Sequence, residues 1–180
     1  MKQDVTITYV ELLDPGQLRP AKPARVAYQL MQVEDPTPEY NRYLYATVGA
    51  DWVWQDRLGW SRARWQESLS RPGHETWVAY VRGAPAGYFE LEPDDPGSVE
   101  IVYFGLQPPY IGSGLGGALL SDAVARAWQI GARRVWLHTC SLDHPAALPN
   151  YLARGFRQYD QVTIRQELPD APLQPWPGWN

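Results

Sequence analysis

The sequence predicts a mixed α+β domain: a central, mostly antiparallel sheet whose C-terminal half runs β-α-β-α-β. Three observations predict it. Residues 75–106 read as a three-strand meander with turn residues at both corners. A glycine-rich loop at 110–117 then opens a helix. Strand, short-helix and strand patterns follow to residue 166, the order expected of a layered α and β domain. The 180-residue chain is long enough to bury one core, so residues 1–167 are assigned to a single domain and 168–180 to a Pro/Trp-rich tail.

In chain order, residues 5–12 alternate as a strand ended by Asp14-Pro15-Gly16. Residues 25–34 fit a loose strand or a helix, and both readings stand. Thr37-Pro38 is a helix start, an N-cap threonine with proline at the first helical position, and Tyr40, Tyr43, Leu44 and Thr47 continue it to Gly49. Residues 51–60 form an unusually aromatic connection. Ser61 opens a second helix that ends near Pro72-Gly73. Strands over 75–81, 86–91 and 99–106 are separated by turns at Arg82-Gly83-Ala84-Pro85 and at 93–97. Pro108-Pro109 stops the third of these. A helix over 114–130 places Leu115, Leu119, Ala123 and Ala127 on one side and Asp122, Arg126 and Gln129 on another, with Gly131 as its C-terminal stop. A strand over 134–139, a short helix over 145–154 ended by Gly155 and a strand over 156–166 complete the domain. The prolines of the tail disfavour helix and sheet, leaving it disordered or docked through Trp176 and Trp179.

Composition excludes several function classes. A net charge of -4 and the absence of a Lys/Arg cluster argue against nucleic-acid binding. A single cysteine, Cys140, rules out an intrachain disulfide and suits a cytoplasmic location. The N-terminus lacks the apolar core of a signal peptide, and no run nears the roughly 18 apolar residues of a membrane span. The 3 histidines lack metal-ligand spacing, so no metal is expected.

The loop Tyr110-Ile111-Gly112-Ser113-Gly114-Leu115-Gly116-Gly117 carries the chemistry. Glycines let the backbone take positive φ and approach a ligand closely. Amides from Ile111 to Gly116 at the positive end of a helix dipole make an anion site suited to a pyrophosphate. The glycines would equally serve tight packing of helix on strand. A dinucleotide-binding reading of Gly112-x-Gly114-x-x-Gly117 fits poorly, because the loop is not in a first βα turn and no acid follows about 20 residues on. A P-loop fails for want of Gly-Lys-Ser/Thr.

Together with Asp143-His144-Pro145-Ala146-Ala147-Leu148-Pro149-Asn150-Tyr151-Leu152-Ala153-Arg154-Gly155-Phe156, this loop and the order of elements resemble the GNAT superfamily of N-acetyltransferases over about residues 99–157. The resemblance implies a GNAT-like acyltransferase fold, acetyl-CoA as cofactor, and a primary amine of a small molecule or peptide as acceptor, attacked directly in a ternary complex. A homodimer is compatible with it. The cofactor-binding set it implies is Phe104, Gly105 and Leu106 on the strand, Ile111, Gly112, Ser113, Gly114, Leu115, Gly116 and Gly117 in the loop, and His144. Ile111 stands where the family usually has Arg or Gln, and His144 where it usually has Asn. No Lys or Arg lies between Gln107 and Asp122, so phosphate binding is expected to rest on amides and dipole.

The resemblance places Tyr151 at the position of the family's general acid. A phenol of pKa about 10 facing a thiol near 8.5 better suits stabilising the departing thiolate by a hydrogen bond than full proton transfer. Glu100 is the candidate base: a carboxylate inside the apolar run 99–104 is costly to bury unless used or paired. It also fits the solvent-exposed start of a strand or a partner for an arginine. Glu90 and Glu92 read as solvated strand residues, Cys140 as a small core residue, His138 as a hydrogen-bonded core histidine and His74 as a turn residue. The acceptor face implied by the resemblance brings forward Tyr45, Trp52, Trp54 and Trp60, an aromatic wall for an amine or an anchor for the connection. A catalytically silent acyl-CoA-binding sensor or interaction module is the competing function.

Overall fold

A computed structural model describes residues 2–169, so the tail expectation lies, from Asp170 on, outside the described residues. The described residues form seven strands and four α-helices: β1 (Lys2–Leu12), β2 (Gln29–Gln32), α1 (Pro38–Gly49), α2 (Arg62–Leu69), β3 (Glu75–Val81), β4 (Ala84–Asp95), β5 (Ser98–Leu106), α3 (Leu115–Gln129), β6 (Arg134–Cys140), α4 (Ala147–Ala153) and β7 (Arg157–Glu167). The ambiguous stretch at 25–34 resolves as β2, pairing Leu30 with Ala79 of β3. The helix starts form as expected: the Thr37 side chain accepts from the Tyr40 amide and that of Ser61 from the Arg64 amide.

All seven strands join one sheet in the order β2-β3-β4-β5-β6-β1-β7. Every neighbouring pair is antiparallel except β5–β6. The N-terminal strand therefore does not flank β2. It inserts between β6 and β7, pairing Tyr9 with His138 on one side and Asp160 on the other.

One face of the sheet is covered by α3. Leu115, Leu119, Ala123 and Ala127 are fully buried, as their spacing predicts, against Val10, Phe89, Leu91, Val99, Ile101, Val135 and Leu137. The opposite face of β3–β5 is covered by α1, through Leu44 and Val48 on Val78 and Tyr88. No helix among the described residues is long and apolar enough to cross a membrane.

Two irregularities shape the middle of this sheet. The β4–β5 register passes from Glu90↔Tyr103 to Leu91↔Ile101, so Val102 is an extra residue in β5. A bulge reverses which side chains face which layer. Before it Val99 and Ile101 face α3; after it Phe104 and Leu106 do, while Tyr103 turns toward α1. The parallel β5–β6 ladder also ends at Glu100↔Trp136. Beyond that point the two strands separate, which leaves one backbone edge of β5 unpaired and opens a cleft at the sheet centre.

Candidate active site

A cavity of about 610 Å³ occupies this cleft and has two arms. The first is lined by Phe104, Gly105 and Leu106 of β5, by Ile111, Gly112, Gly114, Gly116 and Gly117, and by Ala147, Asn150 and Tyr151 of α4. Gly112 and Gly114 both have φ of +82°, the left-handed region that L side chains rarely adopt. A Cβ at Gly112 would meet nothing within 4 Å, so the backbone there faces open space. Among the described residues, no oxygen accepts from the amides of Gly112, Gly114, Gly116 or Gly117. A row of free N–H groups at the start of the 15-residue α3 is suited to holding an anion.

Ser113 and Leu115 play internal parts instead. The Ser113 hydroxyl donates to the Tyr110 carbonyl at 2.6 Å and accepts from the Leu115 amide at 3.3 Å, while the Leu115 side chain is in the core. Three polar residues absent from the sequence expectations serve this arm. Arg25 lines the cavity, donates to the Gly112 carbonyl through its guanidinium and to the Ser113 carbonyl through its amide. Arg154 reaches Gly117, where a Cβ would lie 2.6 Å from Nη1. Asn150 Nδ2 donates to the Gly116 carbonyl at 3.3 Å, tying α4 to α3. Arg25 lies about ninety residues from the loop in sequence, so no local signal finds it; the positive charge expected to be missing is supplied from the N-terminal half.

The second arm is lined by Tyr45, Trp52, Val53, Trp54, Asp56, Tyr103, His138, Cys140, Asp143 and His144. The aromatic connection closes over it. Trp52 stands edge-on to His144 with centroids 4.9 Å apart, and Trp54 Nε1 approaches Asp143 Oδ1 at 3.4 Å. Val53 adopts φ of +58°, unusual for a β-branched residue, at the point where the chain turns from one tryptophan to the next. Tyr45, Trp54 and Tyr103 pack on one another at 5.1–5.5 Å. Trp60 is not among the lining residues. It packs on Trp65 at 5.4 Å and lies between the Arg57 and Arg64 guanidinium groups.

Behind Tyr103 lies a buried polar cluster. Arg57 Nη1 is 2.9 Å from Glu90 Oε2, with Glu90 0% exposed. Asn41 Nδ2 donates to the other Glu90 oxygen at 3.0 Å, and His74 Nε2 lies 3.9 Å from the carboxylate. The expectation that Glu90 is solvated is therefore wrong, because α1 and α2 cover the face that it occupies. Glu92 is also largely covered and pairs with Arg71. The His74 side chain is fully buried despite its turn sequence, and burial pushes its pKa down.

Glu100 does not line the cavity; its Oε1 is 3.2 Å from Nδ1 of His138, which does. His138 is 46% exposed in its side chain, not a core histidine. The Glu100 carboxylate, by hydrogen bond and charge, raises its pKa, with Asp143 and Asp56 adding to the effect against partial burial. Tyr151 is buried between Phe104 and Phe156, and burial lifts its pKa well above that of a free phenol, so it stays a neutral donor. Burial also raises Cys140, which keeps it a thiol and argues against a nucleophilic role.

The acetyltransferase (GNAT) family model matches residues 29–156, which span both arms. The chain belongs to the GNAT acetyltransferase family. Uncharacterised N-acetyltransferases of Mycobacterium bovis and Mycobacterium tuberculosis are 38% identical over 105 residues, covering 58% of this chain and 67% of theirs. Among solved structures, a GNAT-family putative acetyltransferase from Novosphingobium aromaticivorans superposes with a TM-score of 0.64 at 15% identity. A GCN5-related N-acetyltransferase from Sphaerobacter thermophilus gives 0.63 at 18%. They cover 91% and 94% of the present chain, which spans only 64% and 54% of theirs. At this identity the likeness is one of fold. Family membership supports acyltransferase activity and gives the two-armed cavity its context.

Proposed function

We propose that this GNAT chain transfers an acetyl group from acetyl-CoA to a primary amine of a small molecule or peptide, by direct attack in a ternary complex. The observation that carries the reading is one cavity that joins a cradle of free amides and an unpaired strand edge to an aromatic, acid-lined arm. The residues present fit the cofactor. The amides of Gly112, Gly114, Gly116 and Gly117, with Arg25, offer donors and charge to a pyrophosphate. The free edge of β5 at Phe104–Leu106 can take an extended, amide-bearing arm as an added strand would be taken.

Acetyl-CoA, when bound, supplies an activated thioester carbonyl. The chain's own contribution is positioning and charge management. The β5 amide near Leu106, on the strand edge left unpaired, would donate to the oxygen on which negative charge develops. Tyr151, neutral and lining the first arm, would donate a hydrogen bond to the departing sulfur. Trp54 and Tyr103, backed by the buried Tyr45, give the acceptor arm an aromatic wall, and Asp56, Asp143 and Glu100 bias it toward cations. Among the described residues no Lys or Arg lines the acceptor arm, so anionic acceptors are disfavoured.

Calorimetry with acetyl-CoA, coenzyme A and NAD tests the cofactor assignment. Saturable one-site binding of the two thiol-derived ligands, lost in Gly114→Val, is expected. Tight NAD binding without a response to acetyl-CoA would overturn it. Cofactor binding without transfer to any amine would favour the silent acyl-CoA-binding module.

A further inference from the structure

We infer that His138 is the proton acceptor of the acceptor arm and that Glu100 is its positioning residue. The inference rests on the acetyl-transfer reading and names the group that takes the amine proton. Its basis is the way the sheet opens. The β5–β6 ladder ends at Glu100↔Trp136, and His138 stands two residues farther along β6, on the same face as Trp136. The ring therefore sits where the strands have parted, and it lines the cavity while Glu100 does not. Glu100 Oε1 lies 3.2 Å from Nδ1. With a carboxylate as its partner Nδ1 carries the proton, which leaves Nε2 with a lone pair and, among the described residues, no partner.

The surroundings favour a proton acceptor. The carboxylates whose charge acts on the ring are Glu100 from β5, in contact with it, Asp143 from the loop after β6 and Asp56 from the connection between α1 and α2. Tyr9 of β1 lies 5.7 Å away ring to ring and Trp136 6.4 Å. Cys140, on the same strand, is a thiol. The nearest guanidinium on β6, Arg134, is engaged by Glu11 at 2.9 Å. The charges that act on His138 are acidic, so the imidazole is a stronger base than a free one. It is also exposed enough to pass its proton to water.

The step balances as follows. The lone pair of the neutral amine forms the C–N bond to the thioester carbonyl carbon, and the C–S bond breaks. The one proton that the amine nitrogen loses passes to Nε2 of His138 and then to solvent. The sulfur leaves as a thiolate, hydrogen-bonded by Tyr151, and takes up one proton from solvent.

The test is the pH profile of kcat/KM with an amine that the wild-type chain accepts, run for wild type, His138→Gln, His138→Asn and Glu100→Gln, beside an NMR titration of the histidine ring protons. Wild type should show an acid limb set by His138, at a pKa above that of free imidazole. Both His138 variants should lose about 100-fold or more and the limb with it. Glu100→Gln should lose less and keep the limb, moved to lower pH, and the His138 titration should move down with it. A His138 variant within threefold of wild type, or one retaining the limb, overturns the inference. So does a Glu100→Gln variant that leaves the His138 titration where it was. Loss of the limb in Glu100→Gln alone would make Glu100 the base. If no amine accelerates thiol release by wild type, the acetyl-transfer reading fails and takes the base assignment with it; the NMR titration still reports the Glu100–His138 pair separately.

Discussion

Arg57→Met removes the guanidinium that pairs with Glu90 while keeping most of the side chain's apolar bulk. In the wild type that group is 5% exposed, 2.9 Å from the carboxylate and 4.3 Å from the Tyr103 ring centroid, with Trp60 and Trp65 also against it. Removing one partner strands the other as a buried charge, at a cost of about 3–5 kcal/mol. A domain of this kind is stable by only about 5–15 kcal/mol. At roughly 2–4 °C per kcal/mol, the midpoint should fall by roughly 6–20 °C. Asn41 and His74 keep contact with Glu90 and place the loss toward the lower end. The assay is thermal and urea denaturation of wild type, Arg57→Met, Glu90→Gln and the double variant. A neutral pair in place of the ion pair should bring the double variant back to within about 2 kcal/mol of wild type. A loss below about 1 kcal/mol in Arg57→Met, or strict additivity of the two changes, would refute the coupling.

Further consequences concern the site and its surroundings. Tyr151→Phe should lower kcat roughly 10–100-fold, the worth of a hydrogen bond to a charged atom, while calorimetry shows acetyl-CoA affinity retained; an unchanged kcat would contradict its role at the sulfur. Arg25→Ala should weaken coenzyme A binding by about 1 kcal/mol, roughly fivefold, with a shallower salt dependence, because the group is exposed and screened. His74 is held neutral by burial, so the unfolded chain binds a proton below pH about 6.5 that the folded chain resists. Stability should therefore fall between pH 7 and 5.5 more steeply in wild type than in His74→Gln, and equal slopes would show that His74 is not coupled to folding.

What sequence alone makes legible is what local pattern controls. The core stripe Leu115, Leu119, Ala123 and Ala127 follows from helical spacing, and the caps Thr37 and Ser61 follow from side-chain hydrogen bonding to the first turn. The loop is legible because positive φ demands glycine at 112 and 114. What local pattern cannot carry is long-range placement. Nothing in residues 2–12 signals that β1 enters between two strands more than 120 residues away, or in Arg25 that it meets the loop at Gly112. The Val102 bulge breaks the alternation on which inside–outside assignments along β5 depend. Glu90 looks solvated because its burial depends on helices that come from elsewhere in the chain. His138 looks like a core residue because its strand is apolar; it reaches the cavity only because β5 and β6 part just before it. Trp60, grouped by sequence with the acceptor wall, belongs instead to the packing around Arg57.

The most direct test of acetyl transfer follows free thiol release from acetyl-CoA across a panel of primary amines, with the acetylated product identified by mass. The cavity predicts amine-dependent release well above background, strongest for cationic or aromatic amines and weakest for anionic ones. Acetyl-CoA that binds but is cleaved no faster with any amine than without would contradict it.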